Sequence, residues 1–263
     1  MNIIRVGGYM EKSKINELEN NVNLNNSYYK AYEKRYKQVY ENGCLWSSNP
    51  ILLYGTFDWS SNNPSPDVIE TIVNNGITTD KKILEIGCGE GRDAIFLLNK
   101  NYNIVAIDYS NTAIEKCKEL SEYKYNNKFK QFDILNDKLD EKYDFIYSIA
   151  VIHMFVIEDH RNKFYKFIYE HLKQNGIALI VSMGDGEKIY ESDISKAFDD
   201  VKRVVVNNNK EINIATTSCK IVNWKTFDHE LLVNNFDIKK KWISHNIPEF
   251  NPAMGVIVCR KGR

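Results

Sequence analysis

The chain of 263 residues is long enough for one large α/β domain, and its 43% hydrophobic and 12% aromatic residues supply a large core, which excludes a disordered chain. Its 35 basic and 35 acidic residues give a formal net charge of zero at pH 7. A neutral chain has no overall attraction for nucleic acid or an anionic membrane, so we expect neither as a partner.

The first part of the chain, residues 1–66, is predicted to form an arm and a lid. Residues 1–26 are polar and only weakly periodic, and we expect them to form a mobile arm. Tyr28, Tyr32 and Tyr36 then recur at helical spacing, which predicts a helix with one aromatic face. This face either packs against the domain or closes over a bound ligand.

An aromatic loop follows this helix, over residues 44–66. It carries Trp46, Tyr54 and Trp59 next to the expected ligand-binding edge of the domain. Large rings at such an edge form an efficient apolar wall, so we predict that these three residues contact the substrate. Ordinary packing is the alternative for the same rings.

Residues 67–263 are predicted to form the main domain. From Asp80 onward, short apolar runs alternate with helical stretches, a pattern typical of parallel strands joined by crossover helices. The predicted strands are KILEI, NIVAID, KFKQFDI, YDFIYSIAV, IALIVSM, IKKKWIS and MGVIVCR. The alternation breaks at about residues 187–224, where a short helix and a hairpin predict an α/β insertion after the fifth strand. We therefore expect an α/β fold with a doubly wound, mostly parallel sheet.

The most informative segment is the loop Gly87-Cys88-Gly89-Glu90-Gly91, which joins a strand directly to a helix. Glycines permit a tight turn there and let a ligand approach the bare backbone at the start of the helix. We therefore expect Gly87, Cys88, Gly89 and Gly91 to contact a bound cofactor. A dinucleotide site requires the spacing GxGxxG, whereas Arg92 follows Gly91 and the spacing here is GxGxG. The loop therefore disfavours a nicotinamide cofactor, and a tight turn without a ligand is the remaining alternative.

Acidic residues surround this loop. Glu85, Glu90 and Asp93 would repel a pyrophosphate, whereas they would attract the sulfonium and the ammonium of S-adenosylmethionine. Because that molecule has no phosphate, the charges around the loop favour it over a dinucleotide.

Two further carboxylates follow the next strands. Asp108 ends the second strand, where a carboxylate can accept both hydroxyls of a ribose, and Tyr109 can cover the sugar or the base. The third strand is predicted to end in Phe132-Asp133-Ile134, where Asp133 can accept the adenine amino proton and Ile134 can pack on the ring. A single Asp after a strand is usually a helix cap, but acids after three successive strands predict an adenosine site.

These motifs together resemble the class I S-adenosylmethionine-dependent methyltransferases. Within that class, the chain is most similar to bacterial small-molecule enzymes of the tellurite-resistance and thiopurine type. The resemblance covers about residues 80–184 and is carried by ILEIGCGEG, IVAIDYS, FDI and YDFIYSIAVIHMF, in the order of the family.

The resemblance implies a Rossmann-like methyltransferase fold with seven strands, of which six are parallel and the last is antiparallel. It implies S-adenosylmethionine as cofactor, with S-adenosylhomocysteine as product. The site residues that it implies are Gly87, Gly89 and Gly91 under the methionine moiety, Glu85 near its ammonium, Asp108 on the ribose, Asp133 on the adenine amino group, and the backbone of Ile149, just past the fourth strand.

The function that we predict is transfer of a methyl group to O, N or S of a small-molecule acceptor by in-line displacement. His153 follows the fourth strand at the ligand-binding edge and is the candidate general base, and a half-buried structural histidine is its alternative. A methyltransferase for RNA or protein, or a regulatory protein that binds the cofactor without catalysis, are the other possibilities.

The cysteines bear on the cellular compartment. Five of them are scattered along the chain without zinc-ligand spacing, so we expect no metal, reduced thiols and a cytoplasmic protein. The longest apolar runs are too short to span a membrane, and the sequence leaves the oligomeric state open.

Overall fold

The fold is described from a computed structural model, which describes residues 23–44, 63–205, 210–247 and 251–262. Its strands, in chain order, are β1 (Lys82–Ile86), β2 (Asn103–Asp108), β3 (Phe129–Gln131), β4 (Tyr143–Ile149), β5 (Leu172–Met183), β6 (Tyr190–Glu191), β7 (Asp200–Val205), β8 (Lys210–Ala215), β9 (Lys220–Ile221), β10 (Phe236–Ser244) and β11 (Ala253–Arg260). Its α-helices are α1 (Ala31–Glu41), α2 (Pro66–Asn74), α3 (Arg92–Asn99), α4 (Asn111–Leu120), α5 (Glu158–His171) and α6 (Trp224–Val233).

One seven-stranded sheet organises the domain, in the order β10-β11-β5-β4-β1-β2-β3. The first five strands of the chain pair in parallel, whereas β11 is antiparallel to both of its neighbours, β5 and β10. Six strands therefore run in one direction and the last runs against them. The predicted fold class is confirmed.

Apolar side chains on both faces of the sheet explain why its central strands are continuous hydrophobic runs. In β1, Leu84 and Ile86 join a core on one face, where α5 and α6 pack. Ile83 joins a second core on the other face, with residues of α2, α3 and α4. This two-sided burial brings the carboxyl ends of β1, β2 and β4 together at one edge, where ligands bind in open α/β sheets.

Three boundaries differ from the sequence prediction. The third strand ends at Gln131, so Asp133 lies in the turn that follows it. Strand β4 ends at Ile149, two residues before the end of the predicted run YDFIYSIAV. Strand β5 begins at Leu172, five residues before the predicted run IALIVSM, and includes Gly176. A Cβ atom at Gly176 would lie 2.8 Å from the carbonyl oxygen of Asp144, because the strand passes close to its neighbour there.

The insertion contains the predicted hairpin, formed by β7 and β8 in antiparallel register. A second, two-residue ladder of β6 and β9, which the sequence did not predict, closes its base. Among the described residues, no helix combines the length and the apolar character needed to cross a membrane.

Candidate functional site

A cleft of about 630 Å³, counted to its open mouth, lies at the carboxyl ends of β1 and β2. The wall consists of strand ends, the turn after β3, the segment after β4 and residues of the lid: Tyr29, Tyr32, Tyr36, Ile86, Gly87, Ile107, Asp108, Tyr109, Phe132, Asp133, Ile134, Val151, Met154 and Phe155. Five predicted cofactor residues are therefore brought together, namely Gly87, Asp108, Tyr109, Asp133 and Ile134.

The glycine loop has the left-handed backbone that its composition predicts. Gly87, Gly89 and Gly91 have φ of 72°, 53° and 77°, a region in which other residues are strained. A Cβ atom on Gly89 would lie 2.9 Å from the hydroxyl of Tyr36, and one on Gly91 would lie 2.9 Å from Sγ of Cys117. Of the three glycines, Gly87 lines the cleft, Gly89 lies under the lid, and Gly91 allows the loop to pack on α4.

Cys88 is buried in this loop and is not part of the cleft wall. Its side chain contributes to the core between the sheet and α4, and its predicted cofactor contact stays a prediction.

Asp108 holds the loop and its own turn in place. Its Oδ2 accepts a hydrogen bond from the backbone N–H of Gly89 at 2.9 Å, and its Oδ1 accepts one from Ser110 at 2.8 Å. Removal from bulk water raises the pKa of Asp108 to about 6, although both N–H donors oppose this shift. A carboxylate has about four lone-pair positions, so both oxygens can still accept a ligand hydroxyl.

Asp133 is engaged by the lid. The hydroxyl of Tyr29 donates to its Oδ2 at 2.8 Å, Asn136 donates to the same oxygen at 2.9 Å, and the N–H of Leu135 donates to Oδ1 at 3.0 Å. Tyr29 thus takes an acceptor position that was predicted for the adenine amino group. Asp133 lines the cleft as predicted. Its Oδ2 can accept a further hydrogen bond from a ligand more readily when the Tyr29 hydroxyl does not occupy it.

Glu85 does not reach the cleft. Successive residues of a strand point to opposite faces, and Ile86 lines the cleft while Glu85 is buried on the other face, near Tyr147 and Asp93. Burial, together with the charge of Asp93, raises the pKa of Glu85 well above its ordinary value. This placement does not support its predicted contact with the cofactor ammonium, which stays a prediction.

The segment after β4 presents residues other than the two that were predicted. Ile149 is not part of the cleft wall, and His153 is 2% exposed within a 3₁₀ turn, Ile152–Met154, whose last residue does line the cleft. Burial, with the charge of Arg161, lowers the pKa of His153 to about 3, so its imidazole is neutral at pH 7. This placement does not support a general base at His153, and that role stays a prediction.

The lid contributes three tyrosines to the wall, Tyr29, Tyr32 and Tyr36. The helical spacing predicted Tyr28 in place of Tyr29. Instead, the Tyr28 ring stacks on His160, with 5.5 Å between ring centroids, and its hydroxyl accepts a hydrogen bond from the N–H of Val156 at 2.9 Å. Trp46, Tyr54 and Trp59, the predicted substrate residues, lie outside the described residues.

Helix α1 is hydrogen-bonded to two parts of the structure beside the cleft, the start of α4 and the insertion. Glu33 accepts hydrogen bonds from the hydroxyls of Ser110 and Thr112 at the start of α4. On its other side, Arg35 donates to Oγ1 of Thr217 at 3.2 Å, and Gln38 donates to Asp200 at 2.8 Å. The lid is thus tied to the main domain and to the insertion at the same time.

The described residues fit an adenosine derivative that carries positive charge and no phosphate. Asp108 can accept ribose hydroxyls, and Ile107, Phe132 and Ile134 supply apolar surface for a flat base. The bare backbone of Gly87 admits close approach, and the carboxylates oppose a phosphate.

Comparison with known proteins indicates the same class of cofactor. A family model described as "Tellurite resistance protein TehB" matches residues 61–217, more than half of the chain. The probable S-adenosyl-L-methionine-dependent methyltransferase TehB of Haemophilus influenzae is 31% identical over 102 residues, which are 38% of this chain and 35% of the relative. The ubiquinone biosynthesis O-methyltransferase of Rickettsia prowazekii is 33% identical over 47% of this chain and 48% of its own length. The chain thus spans about a third to a half of these relatives.

Among solved structures, an S-adenosylmethionine-dependent methyltransferase from Clostridium acetobutylicum superposes with a TM-score of 0.58. The two share 18% sequence identity, and the match covers 75% of this chain and 91% of the other. At this identity the likeness concerns the fold. The resemblance noted in the sequence is confirmed.

Proposed function

Because the chain belongs to the family of the tellurite resistance protein TehB, we propose that it transfers a methyl group from S-adenosylmethionine to a small-molecule acceptor. The observation that carries this proposal is the geometry of Asp108, which joins the cleft wall to the glycine loop through the N–H of Gly89. One carboxylate therefore fixes the loop and faces the ligand, as an adenosine site in this architecture requires.

The chain's own residues bind and orient the cofactor, and they exclude water from the cleft. Asp108 and Tyr109 would hold the ribose, Asp133 and Ile134 the adenine, and Gly87 the methionine moiety. S-adenosylmethionine, when bound, supplies a methyl group that is activated by its positive sulfur. The tyrosines of the lid close the cleft from outside, and this positioning and exclusion of water can supply a barrier reduction of about 7–11 kcal/mol.

The lid and the insertion belong to the same proposal. Residues 1–66 act as lid and 187–224 as the substrate-side insertion, and Trp46, Tyr54 and Trp59 contact the acceptor. The lid helix on the cleft wall and its bonds to the insertion support this division. The scattered cysteines, none of which forms a disulfide among the described residues, are compatible with the reducing cytoplasm.

Calorimetry with S-adenosylhomocysteine and with NAD tests the cofactor class. We expect binding of the first only, and we expect Asp108→Asn to weaken it by about 10–100-fold, since a hydrogen bond to a charged group contributes about 1.5–3 kcal/mol. Asp144→Asn is the matched control, because Asp144 lies at the opposite edge of the sheet, where it bonds Lys173 at 2.8 Å. Binding of NAD alone, or full affinity in Asp108→Asn, would show the proposal to be wrong.

Transfer of radiolabelled methyl to a small-molecule extract, to bulk RNA and to bulk protein then tests the acceptor class. Label in the small-molecule fraction is the expected result. Label in RNA or protein would contradict it, and binding of the cofactor without any transfer would indicate a regulatory protein.

A further inference from the structure

Two residues of the cleft wall, Tyr32 of the lid and Met154 after β4, lie beside the place proposed for the methionine moiety. Tyr32 precedes Tyr36, which lies over the glycine loop, by one helical turn. Met154 ends the turn that follows Val151, and a Cβ atom on Gly87 would collide with the side chain of Val151. With the methionine moiety at Gly87, an acceptor that approaches the sulfur would meet Tyr32 and Met154.

Ser218 of the insertion is bonded to both of these residues. Its carbonyl oxygen accepts a hydrogen bond from the Tyr32 hydroxyl at 2.9 Å, and its own hydroxyl donates to the carbonyl oxygen of Met154 at 2.7 Å. Ser218 is 1% exposed and does not belong to the described part of the cleft wall. One buried residue thus joins the lid helix to the turn after β4 from behind the wall.

The neighbours of Ser218 hold it in this position. Thr217 has φ of 64°, a left-handed conformation that is strained for a β-branched residue, and its Oγ1 accepts a hydrogen bond from Arg35 at 3.2 Å. On the other side, Nζ of Lys220 donates to the carbonyl oxygen of Val156 at 3.3 Å. Strained backbone persists where surrounding contacts determine it, and such backbone is concentrated at ligand sites.

A link between the two walls affects how strongly an acceptor binds. If the lid helix and the turn after β4 moved independently, an acceptor between them would have to order both, at a cost to its binding free energy. Walls that are already fixed relative to each other remove this cost. Loss of the link is therefore expected to weaken acceptor binding, whereas an acceptor that has bound still reacts.

Resting on the proposed function, we propose that Ser218 is a positioning residue for the acceptor. It belongs to a strap, residues 217–220 of the insertion, that fixes the lid helix and the turn after β4 relative to each other. Cofactor binding depends on other bonds, because Asp108 is held by the N–H groups of Gly89 and Ser110. The loss of the Ser218 hydroxyl is thus expected to affect the acceptor and to spare the cofactor.

The test compares two serines of the insertion. Ser218→Ala removes the bond to Met154. Ser192→Ala is the matched control, because Ser192 Oγ accepts a hydrogen bond from the N–H of Cys219 at 2.8 Å. Calorimetry measures binding of S-adenosylhomocysteine, and transfer of radiolabelled methyl to increasing amounts of the small-molecule extract gives a half-saturating amount and a maximal rate. The Tm of each variant separates a general loss of stability from a change in acceptor binding.

For Ser218→Ala we expect the half-saturating amount of extract to rise by about threefold to tenfold, for the loss of one hydrogen bond. The maximal rate and the affinity for S-adenosylhomocysteine are expected to stay within about twofold, as are all three quantities in Ser192→Ala. An unchanged half-saturating amount in Ser218→Ala overturns the inference. An equal rise in Ser192→Ala, a loss confined to the maximal rate, or an equal weakening of S-adenosylhomocysteine overturns it too.

A double-mutant cycle with Tyr32→Phe, which removes the other bond of Ser218, tests whether the two bonds act as one link. Either change alone already separates the lid from the turn. The double variant is therefore expected to exceed the larger single effect by no more than about twofold. Additive effects overturn the inference. Absence of S-adenosylhomocysteine binding or of methyl transfer in the unmodified protein contradicts the proposed function instead, which distinguishes the two failures.

Discussion

Asp108 is the residue on which the cleft depends, and its raised pKa gives binding a predictable pH dependence. With a pKa of about 6, the carboxyl is ionised at pH 7.5 and protonated at pH 5. Ribose hydroxyls need the ionised form as acceptor, so affinity for S-adenosylhomocysteine is expected to fall below pH 6, by up to about tenfold per pH unit. Calorimetry from pH 8 to pH 5 measures this slope.

The variant Asp108→Asn provides the control for this slope. Its amide does not titrate, so its weaker binding is expected to stay level over the same pH range. A wild-type affinity that is constant from pH 8 to pH 5 would show that the Asp108 carboxylate does not hold the ligand.

His153 is the residue for which the sequence prediction and the structure differ most. A general base contributes about 10²–10⁴-fold to turnover, whereas a buried histidine that satisfies its neighbours contributes about 1–3 kcal/mol to stability. Since the side chain is 2% exposed, we expect His153→Gln to lower Tm while kcat on an identified acceptor changes less than threefold. A loss of kcat by a hundredfold, in a variant with unchanged Tm, would restore the predicted role.

At the scale of an element, the bonds of Glu33 hold helix α1 against the start of α4. Burial raises the pKa of this carboxyl, but hydrogen bonds from Ser110 and Thr112 outweigh it and keep the pKa below its ordinary value. Glu33→Ala removes these bonds between α1 and α4. We expect faster amide hydrogen exchange over 31–41 and about tenfold weaker binding of S-adenosylhomocysteine, for a loss of roughly 1–2 kcal/mol.

Glu41→Ala is the matched control for the lid, because Glu41 is exposed in the last turn of the same helix. Its exchange rates and affinity are expected to equal those of the unmodified protein. If Glu33→Ala behaves like Glu41→Ala, the anchor of the lid lies elsewhere.

The elements differ in how well the sequence predicts them. The glycine loop and Asp108 could be placed from sequence, because a strand, a turn without Cβ atoms and a helix leave few alternatives. The phase of the tyrosines could not, because a 3₁₀ turn, Tyr28–Lys30, precedes α1. With 3.0 residues per turn instead of 3.6, it rotates Tyr29 toward the cleft and Tyr28 toward His160.

The end of the third strand could not be predicted from sequence either, and it determines where Asp133 lies on the adenine side of the site. Its end at Gln131 depends on pairing with β2 alone, since it is an edge strand, and a local pattern does not report where such pairing stops. The contact predicted for Glu85 stays a prediction, and sequence alone does not show whether its side chain faces the cleft. The charge of a residue can be read from sequence, whereas the face of the strand on which it lies depends on the register of the whole sheet.

At the scale of the molecule, a buried ion pair joins the two helices that cover one face of the sheet. Arg161 of α5 and Glu230 of α6 are 2.7 Å apart at both contacts, and Arg161 also donates to the carbonyl oxygens of Ile152 and Phe155. Glu230→Gln leaves a buried guanidinium without its counter-charge. We expect the free energy of unfolding in urea to fall by about 3–5 kcal/mol.

An exposed ion pair on α5 is the control for this loss of unfolding free energy. Lys163 and Asp159 are 2.8 Å apart at the surface of α5, and Asp159→Asn is expected to cost no more than about 0.5 kcal/mol. Equal losses in the two variants would mean that the buried pair has no special weight in the stability of the domain.

The attachment of α1 to the insertion has a consequence for recombination between related proteins. Lys34 and Gln38 reach Asp200, and the carbonyl oxygen of Ser218 accepts a hydrogen bond from Tyr32, so the position of α1 depends in part on the insertion. A chimaera that takes only its amino-terminal portion from a homologue would inherit mismatched contacts with the native hairpin. Exchanging the amino-terminal portion and the insertion together would keep these contacts, and the acceptor preference would be transferred with them.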